Sequence, residues 1–240
     1  MKHTIDESRI IYTSDDCMVI NKITGETAEG SFPKGTVKGM ADLPQILSAQ
    51  FGGTFTAVHR LDVPVSGCTL FARTPAGLSF LNAAFATGRV QKYYWAIIEI
   101  TPPSMNLEKS GELIHWLETD HQRNKSTAFS EAAAGRKKAL LRYRIIGKGT
   151  NYFFMEIELV TGRHHQIRAQ LAALGIHIKG DLKYGARRSE KAGGIRLHAH
   201  SLCFPEEYMD EYVTVKAAPP LRDRLWEDFE KSAAQSSAFE

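Results

Sequence analysis

The sequence predicts an α+β fold, with a mixed, mostly antiparallel β-sheet core and flanking helices. Two observations carry this expectation. Segments rich in β-branched and aromatic residues outnumber helical ones, and the helices intervene irregularly instead of following every strand. The chain has 240 residues, 43% of them hydrophobic. A domain of that size buries roughly three quarters of its unfolded surface, so it needs no disulfide or metal staple.

The elements follow in order. Residues 17–22 (CMVINK) fit a short buried strand with a turn at Gly25. Pro44 to Phe51 suits a short helix that Gly52-Gly53 would end. Residues 68–73 (CTLFAR) are a second strand. Pro75 opens a helix with Leu78, Leu81 and Phe85 at helical spacing, closed by Gly88. Residues 90–100 (VQKYYWAIIEI) form a strand. Residues 101–138 are mostly polar and are expected to be a long excursion with room for short strands. A hairpin is expected from 140–147 and 151–160. Gly162 leads into a helix with Ile167, Leu171 and Leu174 on one face, stopped by Gly175. Strands near 195–204 and 211–216 and a final amphipathic helix over 221–232 complete the chain. The domain expectation is an N-terminal extension (1–16), a catalytic domain (17–220) and a C-terminal helix and tail (221–240).

Composition excludes several classes. Cys17, Cys68 and Cys203 are widely spaced and match no zinc or redox pattern, which fits a reducing compartment. No run approaches the roughly 18 apolar residues of a membrane span, and the N-terminus has no signal-type apolar stretch. A cytoplasmic protein with no membrane contact is expected. Net charge is +3, a mild excess. Basic residues concentrate at Arg136, Lys137 and Lys138 and again at Lys179, Lys183, Arg187, Arg188, Lys191 and Arg196. Such runs suit either a solvated face or a nucleic-acid partner. His198 and His200 share a strand face, but a third metal ligand at recognisable spacing is missing.

Residues 59–73 read HRLDVPVSGCTLFAR. An Arg and an Asp two apart at a Pro- and Gly-containing loop can both project into a cleft; on their own they fit a structural ion pair equally well. HRLD followed by Ser66-Gly67 resembles the catalytic signature of the RluA family of pseudouridine synthases, where HRLD precedes Thr-Ser-Gly. Four more segments resemble that family in order: MVINKITG (18–25), KYYWAI (92–97), VTGRHHQIRAQLAALGIHIKGDLKYG (160–185) and LHAHSLCF (197–204). The resemblance spans residues 17–216. Four positions depart from the family pattern: Ile23 for Pro, Val65 for Thr, His164 for Thr and His177 for Pro.

The resemblance implies the pseudouridine synthase fold with its catalytic cleft. It implies an isomerase that cleaves the uracil N1–C1′ bond, rotates the base and rejoins it through C5. No cofactor or metal is needed. Asp62 would be the catalytic carboxylate, and Arg168 the arginine that pairs with it and keeps it ionised. Tyr94 would stack on the uracil or relay the C5 proton, with a core aromatic as the alternative; Tyr93 points to the opposite face. Arg60 would enter the RNA stack where the target nucleotide is flipped out. His59 and Lys92 fall among the substrate-binding positions, and Leu171 would be an apolar wall for the base or a core residue. Many relatives carry an N-terminal S4 domain. About sixteen residues precede the first motif here, so recognition of structured RNA, tRNA or rRNA, is expected from the catalytic domain itself, acting as a monomer. The alternative on the same fold is a non-catalytic RNA-binding or RNA-folding module.

Overall fold

The computed structural model describes residues 4–29, 42–206 and 211–237. In chain order the elements are β1 (Ile10–Thr13), β2 (Cys17–Lys22), α1 (Leu43–Phe51), β3 (Thr56–Ala57), β4 (Ser66–Ala72), α2 (Pro75–Ala86), β5 (Gln91–Glu99) and α3 (Pro102–Met105). There follow β6 (Ser110–Asp120), β7 (Lys125–Phe129), β8 (Lys137–Lys148), β9 (Tyr152–Glu158), α4 (Gln166–Ala173), β10 (Leu197–Pro205), β11 (Tyr212–Lys216) and α5 (Arg224–Ser237). The strands dominate and pair mostly antiparallel, as the sequence predicts. They group into two compact units, one formed from residues 1–92 and 199–220, the other from 93–198 and 221–240. Among the described residues no helix is long and apolar enough to cross a membrane.

In the first unit β2 pairs antiparallel with β1 and β4, β3 adds to β4, and β11 pairs with β10. Alternation along β2 sorts its side chains onto two faces. Cys17 and Val19 join Cys68, Leu70 and the α2 residues Leu81 and Ala84. Met18 and Ile20 join Phe71, Phe55 and the α1 residues Leu43 and Leu47. Every residue of β4 is buried, which is why its CTLFA stretch (68–72) shows no polar alternation. Both helices start on side-chain caps: Gln45 N–H reaches the Asp42 carboxylate at 3.5 Å and Gly77 N–H reaches Thr74 Oγ1 at 3.0 Å.

The second unit runs β5-β9-β8-β6-β7 with each neighbour antiparallel. The stretch 101–138 holds more order than the sequence reading allowed: β6 is 11 residues long, and α3 precedes it. β6 is exposed at Ser110, Glu112 and Ile114 and less so at alternate positions, so one face is wet. The 140–147/151–160 hairpin forms as β8 and β9. Helix α4 buries Ile167 and Leu171, but Leu174 lies past its end and is 36% exposed. The helix docks through glutamines as well. Gln166 Nε2 donates to Leu140 O at 3.1 Å, and Gln170 Nε2 to Leu113 O at 2.9 Å. Helix α5 lays Trp226 and Phe229 against Trp95, Ile97 and Phe154.

Candidate active site

Asp62 stands on a loop, and the loop is fixed by its backbone. A turn closes it, with Val65 N–H donating to Asp62 O at 2.9 Å. Lys22, the last residue of β2, has no exposed surface and points its ammonium into this turn. Its Nζ donates to Val65 O at 2.5 Å and lies 3.2 Å from each of Ile23 O, Asp62 O and Val63 O. Gly25 N–H adds a further bond to Val63 O at 2.9 Å. Burial pulls the Lys22 ammonium down to about 8, against the opposing pull of Glu26 and then Asp62. The sequence reading assigns Lys22 no role; the signal is a charged residue closing a strand whose first four residues, Cys17–Ile20, are apolar.

The turn must also leave room for β10. Gly67 has φ +116°, and a Cβ there would lie 2.2 Å from Ala199 O. No other residue fits behind Ser66. Val65 is 3% exposed, so the methyl that replaces the family's hydroxyl is shut off from water. Ile23, where the family has Pro, uses the N–H that Pro lacks: it donates to Glu26 at 2.9 Å, and Glu26 is paired with Arg9.

His59 is partly buried. Its Nε2 accepts Leu70 N–H at 3.1 Å and its ring stacks on Phe85, centroids 5.2 Å apart. Burial, with Lys92 second, drives its pKa down, so the ring stays neutral. Lys92 Nζ lies 5.8 Å from the same Phe85 ring. Arg60 is exposed and donates to both Glu29 oxygens at 3.2 Å. Pairs this exposed contribute little, about 1 kcal/mol at most, so Arg60 can exchange Glu29 for another partner.

The second unit holds Tyr94, Arg168 and Leu171, all buried. Tyr94 sits opposite Ile157 in the β5–β9 ladder, and Tyr93 opposite Glu158. Arg168 makes a two-pronged pair with Asp181, at 2.7 and 2.8 Å, and its guanidinium lies 4.9 Å from the Tyr184 ring. Asp181 is 1% exposed. This carboxylate was missed by the sequence reading although it belongs to the Gly-Asp-x-x-Tyr-Gly loop. That loop has its own support: His177 Nδ1 donates to Tyr184 O at 2.8 Å, so the residue replacing the family's Pro ties the loop's two ends. The arrangement immobilises a guanidinium in a buried pair, where its planar fork keeps one orientation.

The profile of the family described as RNA pseudouridylate synthase matches residues 18–173. An uncharacterized RNA pseudouridine synthase of Zymomonas mobilis is 33% identical over 199 residues, 81% of this chain and 86% of the relative. Ribosomal large subunit pseudouridine synthase C of Vibrio parahaemolyticus is 27% identical over 225 residues, 91% of this chain and 67% of the relative. In fold, the solved structure of human RNA pseudouridylate synthase domain containing 1 superposes with a TM-score of 0.70 at 23% identity, over 94% of each chain. The chain belongs to the RNA pseudouridylate synthase family, whose members are isomerases acting on RNA. Its HRLD signature and its ribosomal large subunit pseudouridine synthase C relatives place it with the RluA type.

Proposed function

We propose that this enzyme isomerises specific uridines in folded ribosomal or transfer RNA, with Asp62 as the catalytic carboxylate. The observation that carries the assignment is the clamp beneath it. Lys22, buried itself, gathers three carbonyls of a single turn and a fourth from Ile23, and that turn presents one carboxylate. Preorganising a reacting group lowers the barrier by removing motion that would otherwise have to be frozen out in the transition state.

Tyr94 and Arg168 serve the same reaction. Tyr94 stacks on the uracil or relays the proton from C5, and Arg168 acts as the charge partner of the carboxylate. Leu171 supplies an apolar surface for the base. His59 and Lys92 contribute to substrate binding, His59 by fixing the loop ahead of Asp62. Arg60 exchanges Glu29 for the RNA stack, filling the gap a flipped uridine leaves, where unstacking costs a few kcal/mol. Residues 17–220 form the catalytic domain, acting as a cytoplasmic monomer. The names of its relatives favour large-subunit ribosomal RNA as substrate.

Incubating the protein with ribosomal and transfer RNA carrying tritium at uridine C5 tests this reading. Release of tritium from ribosomal RNA is the expected outcome. No release from either pool, using RNA made without this enzyme, contradicts it and favours a non-catalytic RNA-binding module.

A further inference from the structure

The turn joining β6 to β7 is held in a way the reaction does not require. Residues 121–124 are all exposed, and the Arg123 side chain retains 84% of its accessible surface. The turn is nevertheless built in detail. Asp120 Oδ1 accepts the N–H groups of Gln122 and Arg123 at 2.9 and 3.0 Å, and Asn124 takes the left-handed conformation at φ 48°.

His164 then ties this turn to the start of α4. Its Nε2 lies 3.0 Å from Asn124 Oδ1, and its Nδ1 lies 2.8 Å from Ser126 Oγ. An amide oxygen only accepts, so Nε2 carries the proton and Nδ1 accepts from the serine hydroxyl. Thr119 Oγ1, 3.0 Å from Ser126 Oγ, continues the chain across the hairpin. Beneath, His164 stacks on His165 with centroids 3.8 Å apart. His165 Nδ1 meets Tyr184 OH at 2.9 Å, and that hydroxyl takes Ser126 N–H at 2.9 Å. His165 itself is in the left-handed conformation at φ 52°.

The charge gathered at this turn is positive. Lys183 Nζ donates to Asn124 O at 3.0 Å, Lys125 Nζ lies 5.1 Å from the Tyr184 ring, and Arg123 reaches outward. Against these stands Asp120, 3.6 Å from Arg123 and already occupied by two backbone donors. Exposed cations on a rigid turn suit a polyanionic backbone, because the ordering is done before the partner arrives.

We propose that the 120–125 turn is a phosphate contact for folded RNA, and that His164 is the positioning residue that sets it. This rests on the synthase reading above. His164 is one of the positions where the chain departs from its family, so the strut is a feature of this sequence. A threonine there could not span Asn124 and Ser126 together.

Three variants test it: His164→Phe keeps the stack and loses both hydrogen bonds, His164→Gln keeps a donor and an acceptor, and Arg123→Ala removes the outward cation. Two readouts are needed, steady-state kinetics on folded RNA and the rate of tryptic cleavage after Arg123. His164→Phe should raise KM about ten-fold with kcat within about twofold, and cleavage should speed several-fold. His164→Gln should restore most of both. Arg123→Ala should raise KM and lower the slope of log affinity against log salt by about one. An unchanged KM in both His164→Phe and Arg123→Ala, or a fall in kcat at constant KM, overturns the proposal. If the wild-type protein turned over no RNA, the synthase reading would fall by itself. The salt dependence of RNA binding by the same variants would then decide the turn's role.

Discussion

A lysine sealed from water survives only where its donors find oxygen, and Lys22 finds four carbonyls. Three of them belong to the Asp62–Val65 turn, so Lys22→Met removes the donor they share on the segment that presents the carboxylate. We expect a stability loss of about 3 kcal/mol, read from the midpoint of urea unfolding, together with a large fall in turnover. Unchanged stability would mean the turn holds itself. The four departures from the family pattern also resolve at this scale. Ile23 gives its N–H to Glu26, Val65 is buried, His177 fastens Tyr184 O, and His164 braces a hairpin. The letters were visible in the sequence. Their compensations were not, since each depends on a partner that only the fold brings near.

Loop 186–194 shows how one carboxylate orders an element. Glu190 accepts from Arg196 at 2.7 Å and from Lys179, and Arg196 reaches on to Asp223 at 3.1 Å. Asp223 in turn takes the Trp226 N–H at 3.2 Å, at the start of α5. Burial would raise Glu190, but hydrogen bonds from Arg196 and Lys179 outweigh it and hold the group at about 2, below its ordinary 4.5. A native value below the unfolded one means this stability is complete above about pH 4.5 and is lost as the pH falls through 2. Glu190→Gln should therefore flatten the acid side of a melting-temperature profile between those values and lower the melting temperature at neutral pH. A profile parallel to wild type would show that the network carries no such linkage. Elements with a clear apolar period, β2, α1, α2, β5 and the β8–β9 hairpin, were legible in the sequence. β6 was not, because its exposed positions mix Ser110 and Glu112 with Ile114 and its other face includes Gly111 and His115, so no clean period of two shows. Nor were the glutamine contacts of α4, which hydrophobic spacing does not encode.

Across the whole chain, the residues assigned to the reaction divide between the two units: His59, Arg60, Asp62 and Lys92 in the first, Tyr94, Arg168 and Leu171 in the second. Five ordered motifs made the family legible from sequence, and the matched span of residues 18–173 covers most of them. The carboxylate that holds Arg168 was not assigned, because a motif preserves the letter Asp181 and not the geometry it serves. Arg60 yields a prediction that depends on the substrate's own fold. Arg60→Ala should reduce turnover on folded RNA more than on a short unstructured strand, since only the folded substrate must have a base extruded. Equal losses on both would remove that role. The most direct test of the account is single-turnover tritium release by wild type and Asp62→Asn, with RNA affinity measured in parallel. We predict that Asp62→Asn releases no tritium while binding RNA with near wild-type affinity. Release at a rate close to wild type would contradict the assignment of Asp62 as the catalytic carboxylate.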